Sequence, residues 1–164
     1  MTEDSIYEER LSSKRTTILF ITLAFSFLLL FLLRMMAASF GWLAVVFFLL
    51  FCLFTFYVFN YRTLVIHLTP ESLSLKFGIF KWRVPLETIE ETCLDKVSLW
   101  RIGGAGIHFT SIRKRYRAYF NFLEYPRVVV KLKQKRGPVW DIAFSTRHPE
   151  KIMVFIQDTI SKSR

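Results

Sequence analysis

The chain has few residues with which to form a disulfide bond or a metal centre. Among its 164 residues are two cysteines and three histidines. Cys52 lies inside a long apolar run and Cys93 in the C-terminal part, so we expect no disulfide between them. The histidines are far apart and lack the short paired spacing typical of metal ligands. We therefore predict neither a metal site nor a cofactor.

Sequence patterns typical of enzymes are also missing. Gly103, Gly104 and Gly106 are not followed by the Lys-Ser or Lys-Thr of a phosphate-binding loop, so we interpret them as a flexible turn. Ser111 and Ser145 have no nucleophile-elbow context. The acidic residues of one segment are scattered in a way that indicates a surface edge rather than a catalytic pair: Glu87, Glu90, Glu91 and Asp95. The prediction is a protein without enzymatic activity.

Charge is almost absent between residues 16 and 61, where Arg34 is the only ionisable Lys, Arg, Asp or Glu side chain. Residues 16–33 form an uncharged run of 18, which as a helix is ~27 Å long. Residues 40–59 form a second run of 20, ~30 Å long as a helix. Each matches a hydrocarbon layer of ~30 Å, so both are predicted to span a membrane.

The two runs are joined by too few residues to continue in one direction, so the chain must reverse between them. Arg10, Lys14 and Arg15 precede the first run and Arg62 follows the second, whereas the turn holds Arg34 alone. Because positive residues favour the cytoplasmic side, we predict a hairpin in the cytoplasmic (inner) membrane with both termini in the cytoplasm.

Two alternatives remain open for the apolar hairpin. The first run precedes Ala37, Ala38 and Ser39, which loosely resemble the cleavage site of a signal peptide. The other alternative is a buried hairpin in a soluble protein, although about 100 remaining residues are too few to cover two wholly apolar helices.

The chain then divides into a cytoplasmic N-terminal segment (1–15), the hairpin (16–61) and a basic domain (62–164) that carries the whole net charge of +10. Short runs of β-branched and aromatic residues, separated by turn residues, predict antiparallel strands in this domain. We place them at residues 63–68, 72–77, 80–85, 89–95, 115–122, 127–134 and 139–145. Pro149 then opens an amphipathic helix, so the predicted fold class is α+β.

Several segments together resemble the bacterial pleckstrin-homology-like membrane protein family. They are LSLKFGIF at 73–80, RVPLETI at 83–89 and STRHPEKIMVFI at 145–156, following two membrane spans. The resemblance implies a bent sheet of about seven strands closed by a C-terminal helix. The loop that is basic in lipid-binding pleckstrin-homology domains is here Thr69, Pro70 and Glu71, so their mode of phosphoinositide binding does not carry over.

The strongest candidate for a functional surface is cationic. On the later strands, alternation places basic side chains opposite the packed face, which predicts a wet, positively charged face. The candidate residues for contact with an anionic surface are Arg113, Lys114, Arg115, Arg117, Lys131, Lys133, Lys135 and Arg136. They would meet across a hairpin, and near an anionic leaflet each contributes about 1 kcal/mol of attraction. An ordinary solvated sheet face explains them equally well.

Nucleic-acid binding is disfavoured, because the neighbouring aromatic residues alternate with core positions and no RNA-binding signature is present. We expect instead a domain, tethered to the lipid bilayer, that scaffolds a membrane or cytoplasmic protein partner and contacts anionic lipid head groups. The alternative is an accessory or assembly subunit of a larger membrane complex, with its specificity in the hairpin.

Overall fold

The computed structural model describes residues 5–37, 41–112 and 114–162. Candidate residues Ala38, Ser39 and Arg113 lie outside these ranges. The helices are α1 (Lys14–Ala37), α2 (Trp42–Asn60), α3 (Leu99–Ile102) and α4 (Pro149–Lys162). The strands are β1 (Tyr7–Ser12), β2 (Thr63–Leu68), β3 (Ser72–Phe77), β4 (Phe80–Pro85), β5 (Ile89–Leu94), β6 (Gly106–Ile112), β7 (Arg115–Asn121), β8 (Arg127–Arg136) and β9 (Val139–Ser145).

The helices α1 and α2 confirm that the two apolar segments are helical, and both are long enough to span a membrane. They lie against each other through aromatic contacts, among them stacked rings of Phe27 and Phe54 with centroids 5.5 Å apart. Only 17% of the most apolar stretch of α1 and 6% of that of α2 is buried. A hairpin in the core of a soluble protein would be mostly covered, so the exposed apolar surface favours lipid as its surroundings.

The strands on either side of the helical pair are hydrogen-bonded neighbours. β1, just before α1, pairs antiparallel with β2, just after α2, from Tyr7 opposite Leu68 to Ser12 opposite Thr63. The helical pair therefore leaves and re-enters the sheet at the same end of these two adjacent strands. Leu11 of β1 is fully buried in the domain core, and cleavage near residue 38 would remove it. The N-terminal segment is thus part of the folded domain, which argues against a cleaved signal peptide.

Two sheets form the domain, one with the order β1-β2-β3-β4 and the other with the order β5-β8-β9-β7-β6. The described ranges contain nine strands rather than the predicted seven or so, because β1 and β6 were not predicted from the sequence. The sheets are also not wholly antiparallel, since β7 and β9 run parallel, with Arg117 opposite Asp141 and Phe120 opposite Phe144. The coarse class, α+β, is confirmed.

Helix α4 covers the core between the sheets, as its apolar stripe predicts. Ile152 and Ile156 are fully buried among side chains from both sheets. Phe155 contacts Tyr7 of β1, with ring centroids 5.8 Å apart. The C-terminal helix thereby packs on the strand that precedes the helical hairpin.

Candidate functional site

Six of the candidate cationic residues lie on β7 and β8, which are not neighbours, and Lys114 lies in the turn before β7. Strand β9 lies between them, so no single hairpin joins them as predicted. Trp140 of β9 bridges the gap: Arg115 from β7 and Lys135 from β8 each lie 5.2 Å from the centre of its ring. Cation–π contacts of this kind hold the two basic groups over one aromatic surface.

Arg117 departs from the predicted wet face, because it is only 8% exposed. That face of the second sheet is covered by α3 and the segment before it, where Ile102 packs with Tyr119, Val129 and Ala143. Burying a guanidinium requires partners. Those partners are acidic residues far away in the sequence.

Arg117 forms two ion pairs inside this layer. Its Nη1 lies 3.2 Å from a carboxylate oxygen of Asp95, and its Nη2 lies 3.1 Å from one of Asp141. Burial alone lowers the pKa of Arg117, but contacts with Tyr119 and Asp141 more than offset it, so the pKa is raised. The group stays charged and belongs to a structural network.

Two more guanidiniums complete this network. Arg127 pairs with Asp95 at 2.9 Å and Arg115 with Asp141 at 3.1 Å. The side chain of each aspartate is only 1% exposed. Asp95 is therefore a buried ligand of two arginines, not a residue of the predicted surface edge.

The other candidate residues on the described chain lie nearer to solvent. Lys114, Lys133, Lys135 and Arg136 are exposed and Arg115 and Lys131 are half-buried. Lys131 pairs with Glu91, a hydrogen bond that raises the pKa of Lys131. Lys133 donates to the carbonyl of Glu87 at 2.6 Å. We call Lys114, Arg115, Lys133, Lys135 and Arg136 the distal basic surface.

A cleft runs beside the distal basic surface. Its volume is about 460 Å³, and it separates the outer end of β8 from the 3-10 turn Leu86–Thr88. Its lining comprises Pro85, Glu87, Thr88, Leu132, Lys133, Gln134, Lys135 and Arg136. Opposite Trp140 the register of β8 and β9 shifts between Lys131 and Arg136, so this part of β8 departs from regular pairing. The irregular strand and the cleft together offer polar backbone and basic side chains to a ligand.

Within the distal basic surface, Arg115 is far from the ends of the two long helices. Gly106, opposite Asn121 at the near end of β7, lies against Tyr61, directly after α2. Leu123, just beyond β7, donates its amide to the hydroxyl of Thr16 in α1 at 3.3 Å. Arg115 is six residues from Asn121 along an extended strand, which is ~20 Å.

A second set of cations lies next to the helix ends, and two of them, Lys76 and Lys81, were not singled out from the sequence. The β3–β4 turn contacts α2, since the amide of Ile79 donates to the side-chain oxygen of Asn60 at 2.9 Å. Lys76 and Lys81 are opposite each other, one residue pair beyond Phe77 and Phe80 in that hairpin. With the exposed residues at the helix ends they form what we call the proximal basic ring: Lys14, Arg15, Arg62, Lys76 and Lys81. Lys76 and Lys81 lie near the helix ends because of the register of β3 and β4, which composition does not reveal.

Comparison of the chain with models of protein families, with curated proteins and with solved structures finds no match. In the described ranges no three His, Cys, Asp or Glu residues are grouped so as to hold a metal ion. The surfaces above therefore have to be interpreted from their own geometry.

Proposed function

We propose that this protein is a two-span protein of the cytoplasmic membrane, with both termini in the cytoplasm, whose domain presents the distal basic surface to an acidic protein partner. The separation of Arg115, within that surface, from the helix ends carries the proposal. The proximal basic ring, in turn, contacts anionic head groups. The domain is a scaffold without enzymatic activity.

The exposed apolar surface of α1 and α2 supports the membrane part of the proposal. Side chains such as Ile18, Phe25 and Leu49 are more than 60% exposed. A contiguous apolar surface of this size is typical of a membrane-contacting segment, not of a surface in contact with water. The pairing of β1 with β2 holds both ends of the hairpin on one side. The cations of the proximal basic ring favour the cytoplasm as that side.

The sheet arrangement supports a pleckstrin-homology-like domain. Without the β6–β7 hairpin, seven strands remain, β1–β4 in one sheet and β5, β8 and β9 in the other, and α4 covers them. This is the strand number and closing helix that the sequence resemblance implies. We propose that the β6–β7 hairpin is an addition to that plan, and that the membrane hairpin is inserted between its first two strands.

A protein partner suits the distal basic surface better than the bilayer does. The potential of an anionic leaflet falls off within a Debye length, ~8–10 Å at physiological salt. Arg115, ~20 Å along β7 from the strand end that lies beside the helices, therefore gains little attraction from the membrane that anchors the domain. The adjoining cleft, about 460 Å³ in volume, is instead accessible from the cytoplasm and suits an acidic segment of a protein.

Charge reversal with a matched control tests this division of roles. One variant carries Lys133→Glu, Lys135→Glu and Arg136→Glu, and the control carries Arg62→Glu, Lys76→Glu and Lys81→Glu, the same change in net charge. Each full-length chain is purified in mild detergent from its own host, and bound proteins are quantified. We expect the distal variant to lose a partner at least tenfold and the proximal control to keep it. Retention of every bound protein by the distal variant contradicts the proposal.

Two further measurements separate the alternatives. If specificity lies in the hairpin, as in an accessory subunit, then replacing α1 and α2 by an unrelated apolar hairpin abolishes co-purification while the distal variant retains it. A reporter fused after Arg164 tests the topology, since activity of the reporter outside the cell contradicts a cytoplasmic C-terminus.

A further inference from the structure

We infer that a pocket on the outer face of the second sheet, separate from the distal basic surface, binds a small phosphate-bearing anion. The pocket has a volume of about 460 Å³, within the ~300–1,000 Å³ typical of small-molecule sites. It is bounded by the end of β5, the segment leading into α3, and the β6–β7 hairpin. The lining residues on which the inference depends are Cys93, Lys96, Arg101, Ser111, Arg117 and Lys131.

The first argument is a buried guanidinium in the wall of the pocket. Arg117 lines the pocket and its side chain is 10% exposed. Both of its terminal nitrogens are held by carboxylates, those of Asp95 and Asp141. The guanidinium is therefore a fixed positive charge at the pocket, and a charge of this sign attracts an anion.

The second argument is the surplus of positive charge. Asp95 is the one carboxylate among the described residues of the lining, and it is already paired with Arg117 and Arg127. Lys96 and Arg101 lie at the rim, exposed, and neither forms an ion pair within the described part of the chain. Two cations without ion pairs, in the same lining as the buried Arg117, favour a ligand with more than one negative charge.

The third argument is the chemistry of the hydrogen-bond donors in the lining. A phosphate group accepts several charge-assisted hydrogen bonds, and guanidinium groups match it particularly well. Ser111 of β6, an exposed residue, adds a hydroxyl to the lining as a neutral donor. The pocket has room beyond one phosphate, so the ligand class is a phosphate ester or a pyrophosphate. A soluble metabolite and a lipid head group share this chemistry.

Cys93 provides a probe inside the pocket. It is half-buried and lines the cavity, and Cys52, in α2, is removed by Cys52→Ser. The full-length chain is placed in discs of zwitterionic lipid, and alkylation of Cys93 by N-ethylmaleimide is followed with increasing pyrophosphate. Sodium chloride at equal ionic strength is the control, because salt screens the cations around the thiol.

We expect saturating pyrophosphate to slow alkylation at least fivefold relative to the chloride control. The double variant Lys96→Gln, Arg101→Gln should lose this protection, while Lys133→Gln, at the other basic surface, should keep it. Far-UV circular dichroism verifies that the variants are folded.

Discs containing phosphatidylglycerol, without pyrophosphate, distinguish the two sources of the ligand. Protection in these discs assigns the ligand to a head group, and protection by pyrophosphate alone assigns it to a soluble phosphate. If neither anion slows alkylation beyond chloride, or if the double variant is protected as well as the wild type, the inference is wrong. The partner experiment above does not involve Lys96 or Arg101, so either proposal can fail without the other.

Discussion

The carboxylate of Glu9 accepts a hydrogen bond of 2.6 Å from the hydroxyl of Thr146, a residue that lies 137 positions later in the chain. The same carboxylate accepts from the amide of Arg147 at 2.9 Å and from the hydroxyl of Tyr7 at 2.7 Å. Burial, together with this carboxylate, raises the pKa of Tyr7 to about 12, so the phenol remains a donor at physiological pH. Glu9 thus joins the strand before the membrane hairpin to the start of α4.

Replacement of Glu9 by alanine should destabilise the protein by about 2–4 kcal/mol, because it leaves three donors unpaired in a buried region. In a chain of this length that lowers the melting temperature by roughly 5–15 °C. Thermal unfolding in detergent, followed by circular dichroism, measures the change. Glu8→Ala is the matched control, since among the described residues Glu8 pairs only with the exposed Arg10, and it should cost under about 1 kcal/mol. Equal melting temperatures for the two variants would contradict the role of Glu9.

Gly78 and Gly137 form a second natural pair for comparison. Both have φ of +61°, but a Cβ on Gly78 would lie 2.1 Å from the side-chain oxygen of Asn60, whereas nothing lies within 4 Å of one on Gly137. Gly137→Ala should cost about 1–2 kcal/mol from backbone strain alone. Gly78→Ala should cost at least about 2 kcal/mol more, because the turn must move away from α2 and lose its hydrogen bond with Asn60. Melting temperatures of the two variants give the difference, and indistinguishable values would show that the turn does not pack on α2.

Strands that are marked by features of their own short sequence could be predicted with their correct first and last residues. β2, β3, β4 and β9 begin and end where predicted, because alternation and turn residues such as Gly78 mark them. β1 was missed because the sequence YEERLS is charged, although its inward residues Tyr7, Glu9 and Leu11 alternate as a strand requires. Its partner, β2, lies beyond the whole hairpin, so nothing near it in the sequence indicates pairing.

The candidate site was harder to predict than the strands, because charge does not reveal burial. Arg117 and Lys133 both occur on alternating basic strands, but only Arg117 meets the buried carboxylates of Asp95 and Asp141. Those contacts depend on the parallel pairing of β7 with β9, which no local pattern specifies. Likewise, Gly103, Gly104 and Gly106 were interpreted as a turn alone, and the strand that begins at Gly106 was overlooked.

Asp95 tests the buried network directly. Asp95→Asn removes the charge that pairs with Arg117 and Arg127, so both guanidiniums lose a counter-charge in a buried layer. Breaking a buried pair in this way costs about 3–5 kcal/mol. Glu91→Gln is the control, because it breaks only the solvent-accessible pair with Lys131 and should cost under about 1 kcal/mol. Chemical denaturation of the two variants in detergent measures both values, and a loss below about 1 kcal/mol for Asp95→Asn would show that solvent reaches the network.

His108 should make the stability of the domain depend on pH. Its ring stacks on Tyr119 with centroids 5.2 Å apart, and burial, aided by the charge of Arg127, lowers its pKa from 6.5 to about 4. Between these pH values the unfolded chain binds a proton at His108 that the folded chain does not. The contribution of His108 to the free energy of unfolding is therefore fully present above pH 6.5 and is lost as the pH falls towards 4.

The variant His108→Phe keeps an aromatic ring on Tyr119 and cannot titrate. The melting temperature of the wild type should therefore fall more steeply than that of the variant between pH 7 and pH 4, while titration of the carboxylates, common to both, cancels in the comparison. Parallel curves would mean that His108 is already protonated in the folded protein or that it is exposed to solvent.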